Sequence, residues 1–284
     1  MPASFSRSSA APRDQAHGLR QRFAGGQVRF VPLVHNPYVP GAGAVMERLC
    51  AAFADLGLRT LVVDAADTAS PPHELARVDL AACVEPLSPH VSYLAARGLP
   101  MDYLDSRATL TGFIEAIRVA APQADVVVVH AGALDLRRMF VGKTPSPVLM
   151  ASNRPDSLTH AYSSMKQLSQ RLGALAYDMV VAADVSARRV ERMADRLQEC
   201  ADHFLGAALR NVALIDPNAP AQSLLGADLC RLAQGQVGPA TPRDDQGLVP
   251  KPTAARMSSP HHEPITQPVA RASTRRNVAA GRLN

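Results

Sequence analysis

Few residues in this chain combine the types and spacing that chemistry needs, so each can be weighed singly. His130 closes the run Asp125-Val126-Val127-Val128-Val129, at a strand end, where α/β proteins gather ligands. No nucleophile or carboxylate pair adjoins it in sequence, so a packed histidine outweighs a general base there. Gly142-Lys143-Thr144 spells the end of a phosphate loop. Such a loop must open a helix, whereas Pro145-Ser146-Pro147 is turn chemistry leading into the apolar run Val148 to Met150. Gly41-Ala42-Gly43 taken alone marks a plain turn. Cys50, Cys83, Cys200 and Cys230 lie far apart with no CxxC pair and sit near apolar residues, which predicts reduced core thiols. His261-His262 stands among prolines without Cys partners, so no metal site follows.

One short segment has spacing suited to docking. In Asp14-Gln15-Ala16-His17-Gly18-Leu19-Arg20-Gln21-Arg22-Phe23, Ala16, Leu19 and Phe23 share one face of a short helix. Asp14 is placed to cap that helix, Leu19 and Phe23 offer apolar anchor area, and Arg20 offers a charge contact. An amphipathic tail packed on its own domain is the plainer reading.

Behind this segment, short apolar runs recur at Val28 to Val34, Thr60 to Val63, Val126 to Val129, Val148 to Met150, Met179 to Val181 and Val212 to Ile215. They read as buried parallel strands. Amphipathic stretches near 43 to 56, 106 to 120, 155 to 172, 185 to 205 and 220 to 233 alternate with them, which predicts a doubly wound, mostly parallel α/β sheet. Asp105 with Ser106, and Asp156 with Ser157, are expected to cap their helices. The boundaries are set at 1–26 for the front segment, 27–234 for the α/β domain and 235–284 for a tail. That tail holds seven Pro in fifty residues and is too poor in apolar residues to offset ordering entropy, so it is expected to be disordered.

The whole chain carries +5, but residues 1–30 and 235–284 carry +4 each, which leaves −3 for 31–234. The basic balance belongs to the ends, so nucleic-acid binding by the core is not expected. With 4% aromatics and no Trp, the core is expected to be Ala, Val and Leu. There is no apolar leader and no stretch near the roughly 20 apolar residues of a membrane span, so a cytoplasmic location is expected.

The front segment resembles the DQAxxLR motif of FlhG (also called FleN), the MinD-like family that regulates flagellar number, in which the motif activates the signal-recognition-type GTPase FlhF. All five fixed positions match. The resemblance implies an FlhF-like partner, with Gln15 orienting the attacking water because a neutral amide donates to and accepts from it at once. Asp14, Ala16, Leu19, Arg20 and Phe23 would make the contact, and flagellar basal-body components are further implied partners.

The body looks like the MinD/ParA ATPases, through Leu49 to Asp64 and through Pro155-Asp156-Ser157-Leu158-Thr159-His160-Ala161-Tyr162 up to Lys166. Such a family carries the fold of a SIMIBI P-loop NTPase and uses ATP and magnesium. Its phosphate loop, KGGxGKT, counts onto Pro37-Tyr38-Val39-Pro40-Gly41-Ala42-Gly43. Only Gly41 is kept in its place; Pro37 and Ala42 stand for the two lysines and Gly43 for the magnesium hydroxyl. Ala66 stands for the water-side Asp, with Asp67 one residue further on, His130 for the magnesium-linked Asp, and Ala182 for the adenine-contacting Asn. Six losses together imply a pseudo-ATPase with no cofactor of its own. The alternatives are a working MinD-like ATPase whose site is rebuilt from amides near Gly41 to Ala44 and Asp67, and a ParA-like polar scaffold with another client. Family members touch membranes through a C-terminal amphipathic helix. Here Leu225, Leu229 and Leu232 form a stripe with Arg231 alone as cation, so packing is favoured, and weak peripheral contact at the inner membrane or cell pole would rest on the Arg-bearing tail.

Overall fold

The computed structural model describes residues 28–238, apart from 144, 185, 221 and 222. Asp14, Gln15, Ala16, Leu19, Arg20, Phe23, the rest of the front segment, His261, His262 and all of the tail beyond 238 lie outside the described residues.

Eight strands form one sheet in the order β3-β4-β2-β5-β1-β6-β7-β8. They are β1 (Arg29–Val34), β2 (Thr60–Asp64), β3 (Glu85–Pro86), β4 (Val91–Ala95), β5 (Val126–Ala131), β6 (Val148–Ser152), β7 (Ala176–Ala182) and β8 (Ala208–Ile215). All pairings are parallel except β3 with β4. The valine-rich runs become central strands because both faces are covered: along β5, Val126 and Val128 face one layer while Val127 and Val129 face the other. One layer is α1 (Ala42–Asp55) with α6 (Ala227–Val237); the other holds α2 (Thr111–Ala120), α3 (Ala133–Met139), α4 (Pro155–Leu172) and α5 (Ala187–Leu205). Val45, Leu49 and Phe53 of α1 are fully buried, each contributing about 1.5–3 kcal/mol. The doubly wound, mostly parallel sheet expected from the alternating pattern is the one observed.

Local departures have identifiable causes. The helix expected from 106 begins at Thr111, because the Asp105 carboxylate accepts from the amides of Arg107 (2.9 Å) and Thr109 (2.7 Å) and from Thr109 Oγ1 (2.6 Å). That turn satisfies itself without a helix, and Ala108 closes it at φ 58°. Neither Asp156 nor Ser157 caps α4, whose N-cap is Arg154 with no side-chain bond. Ser157 Oγ instead accepts from the Ser152 amide at 2.9 Å. Strands β3 and β4 and helix α3 were not expected. The strand β4, next to the two-residue edge strand β3, is only partly buried, and α3 has too few turns to set up a period.

The folded domain runs past the expected boundary at 234. Asp178 is fully buried, and its oxygens accept from Arg210 (2.7 Å), from the amide and side chain of Asn211 (3.2 and 3.0 Å) and from Gln236 Nε2 (2.7 Å). Gln236 therefore fastens the end of α6 to the core, and a buried carboxylate needs all of these donors. Leu229 and Leu232 are buried and Leu225 is partly so, leaving that stripe no free face. Of the cysteines, only Cys50 is a core thiol, its pKa pushed up to about 12 by burial. Cys83 and Cys230 are half-buried, and Cys200 is exposed because it lies off the apolar face of α5. No described helix is long and apolar enough to cross a membrane.

Candidate functional site

The carboxyl ends of β2, β5 and β1 bring three titratable side chains into line. In register, Asp64 of β2 stands beside His130 of β5, and His130 beside Leu33 of β1. Period-two alternation puts His35, two residues beyond Leu33, on the same face, the one covered by α1. Asp64 Oδ1 lies 2.8 Å from His130 Nδ1, and His130 Nε2 lies 3.2 Å from His35 Nδ1. The two rings meet edge-on, with centroids 5.1 Å apart. All three side chains are buried.

Donor accounting assigns the protons. Asp64 also receives the Ala66 amide and the Tyr93 hydroxyl, both at 3.4 Å, so it serves wholly as an acceptor. His130 then donates through Nδ1 and accepts at Nε2, and His35 donates through Nδ1. Burial, and then the neighbouring His130, lower the His35 pKa to about 4, against a weaker upward pull from Asp67 and Asp64. A base that weak is poorly matched to catalysis near neutrality, so the line acts as a buried, hydrogen-bonded plug. Tyr93, facing the same carboxylate, is pushed up to about 12 by burial and then by Asp64.

Residues 35 to 41, between β1 and α1, are pinned beside this plug. Asn36 Nδ2 donates to Met150 O (2.8 Å), Ser157 O (2.9 Å) and Ser157 Oγ (3.0 Å), and Asn36 Oδ1 accepts from the Tyr38 amide (3.1 Å). Ser152 Oγ holds Tyr38 O at 2.9 Å. Gly41 takes φ 77° as it enters α1, and a Cβ there would stand 3.0 Å from Pro217 Cβ.

The counted positions fall on these elements. Pro37 and Gly41 lie in the β1–α1 connection, Ala42 and Gly43 begin α1, Ala66 is buried after β2, and Ala182 is buried at the end of β7. Asp67 is exposed. Sequence reasoning singled out His130 but missed Asp64 and His35 as its partners. The available signal was that all three close or follow apolar runs, the strand ends where α/β sheets collect polar groups.

These residues do not fit a magnesium nucleotide. Pro37 and Pro40 lack N–H groups, and the amides of His35, Tyr38 and Val39 are committed to Ala131 O, Asn36 Oδ1 and Asn36 O. Neither lysine nor hydroxyl stands at Ala42 or Gly43 to meet phosphate or metal. Among the described residues no group of three His, Cys, Asp or Glu could hold a metal ion.

Comparison with solved structures places this architecture. The MinD cell division protein of Aquifex aeolicus superposes with a TM-score of 0.53 at 12% identity, over 76% of this chain and 99% of that one. The fold is that of the MinD/ParA ATPases. The MinC:MinD complex of Aquifex aeolicus matches at TM-score 0.52 and 13% identity, over 76% and 98%. An ATP complex of McdA from Cyanothece matches at 0.51 and 11%, over 75% and 98%. At such identities it is the fold that is shared. No protein-family model matches the chain, and no curated protein matches it.

Proposed function

We propose that this chain is a non-hydrolysing regulator of MinD/ParA fold that presents its front segment, Asp14 to Phe23, to an FlhF-like GTPase and thereby limits flagellar number or placement. The observation carrying the non-hydrolysing half is the pinned connection between β1 and α1, where Asn36 and two prolines occupy the place of a phosphate loop. The match of Asp14, Gln15, Ala16, Leu19 and Arg20 to the DQAxxLR motif supports the GTPase half. ATP-driven dimerisation, the family's switch, has no evident driver here, so the regulator acts constitutively.

The deciding measurement is GTP turnover by purified FlhF with the full chain, wild type beside Gln15→Ala. Stimulation by the wild type and loss of it in the variant, with binding kept, is expected, because the amide orients water while Leu19 and Phe23 supply affinity. Equal turnover with and without the wild-type chain refutes the activator role. Calorimetry with magnesium-ATP is expected to give no saturable heat, and a saturable isotherm would restore a working nucleotide site.

A further inference from the structure

Helix α5 sorts its side chains into stripes. At about 100° per residue, Val190, Ala194, Leu197 and Ala201 form the buried face, Glu191, Asp195, Glu199 and Asp202 form an acidic stripe on one exposed flank, and Arg189, Arg192 and Arg196 form a basic stripe on the other, next to Met193. Arg192 stands three residues before Asp195 and Arg196 three before Glu199, a spacing at which opposite charges pair on an ordinary solvated helix, yet among the described residues none of the three guanidinium groups bonds a carboxylate. They rim an open cavity of about 310 Å³ against the start of α4, whose apolar walls are Pro155, Leu158 and Met193.

We propose that this groove docks an extended acidic segment of a partner protein, with carboxylates along the arginine stripe and one apolar side chain seated between Leu158 and Met193. Arg189 to Arg196 spans roughly 10 Å of helix, about three residues of extended chain, whose alternate side chains stand on one side roughly 7 Å apart. Guanidinium forks match carboxylates in pairs. A free inorganic anion has no use for the apolar walls. A polynucleotide would lie against the acidic stripe and a core of net −3, and the chain's own ends, at +4 each, carry the wrong sign.

The test uses the full chain and a fluorescein-labelled peptide Asp-Glu-Asp-Phe-Asp-Glu-Asp, followed by anisotropy against salt. The Arg189→Gln, Arg192→Gln, Arg196→Gln triple variant is expected to weaken binding at least tenfold, and Arg192→Glu alone to weaken it clearly. Arg188→Gln, on the acidic stripe, should leave binding unchanged. Replacing the peptide's Phe by Asn should weaken binding to wild type but not to a Leu158→Ala variant. The proposal is overturned if the triple variant binds like wild type, which would assign the affinity to the basic ends, or if the Asn/Gln analogue of the peptide binds equally. Tighter binding of a single-stranded oligonucleotide of equal charge, lost in the same variant, would assign the groove to nucleic acid instead.

Discussion

His35 is a buried histidine whose neutral form the fold requires, and that makes stability depend on pH. In the folded chain burial, assisted by His130 and His160, holds its pKa near 4, while Asp67 and Asp64 pull weakly upward; unfolded, it titrates near 6.5. Above pH 6.5 neither state takes the proton. Below that the unfolded chain takes it and the folded chain refuses it, so stability falls as pH drops from 6.5 towards 4, by at most about 3 kcal/mol. Urea midpoints at pH 7 and 4.5 should therefore differ more for wild type than for His35→Asn, and equal differences would contradict a neutral His35. At this scale the sequence pointed to His130 but not to its neighbours, because Asp64 lies 66 residues away and His35 lies 95.

At the scale of elements, two backbone positions test how the β1–α1 and β4–α2 connections are set. Gly41 holds φ 77° and faces Pro217 at 3.0 Å for an added Cβ, so Gly41→Ala should cost about 1–2 kcal/mol. Adding Pro217→Gly should recover the contact part of that loss and leave the backbone part, as read by thermal melting of the single and double variants. Ala108 is the opposite case, a non-glycine at φ 58°. Ala108→Gly relieves left-handed strain at some entropic cost, and a gain of up to about 1 kcal/mol is expected. A lower melting temperature for Ala108→Gly would contradict the strained turn around Asp105.

For the whole molecule, charge is divided between a core and its ends. Residues 31–234 sum to −3, although the chain as a whole is +5 with a pI near 9.3. A chain trimmed to 28–238 should move from a cation exchanger to an anion exchanger at pH 8, and should lose any salt-sensitive retention of DNA that the full chain displays. Retention of DNA by the trimmed chain would place a basic surface on the core itself, contrary to the charge division. The same division underlies the arginine groove on α5: a local stripe of three guanidinium groups is conspicuous because the surface around it is acidic.

Period and composition alone determined the architecture. Long valine runs alternating with amphipathic stretches have few solutions other than a covered parallel sheet, so the central strands were legible to within a few residues and the span of α4 in full. The residue types at Pro37, Ala42, Gly43, Ala66, His130 and Ala182 were also legible, since a side chain's identity needs no coordinates. What only the tertiary structure decided was partnership across the sheet. Asp64, His130 and His35 meet because parallel register levels three strand ends, Asn36 finds Met150 and Ser157 because β6 lies beside β1, and Gln236 extends the domain because Asp178 is buried beneath it. Each of these pairs is far apart along the chain, and a chain's local pattern carries period and propensity but not which distant polar groups will be buried together and must satisfy one another.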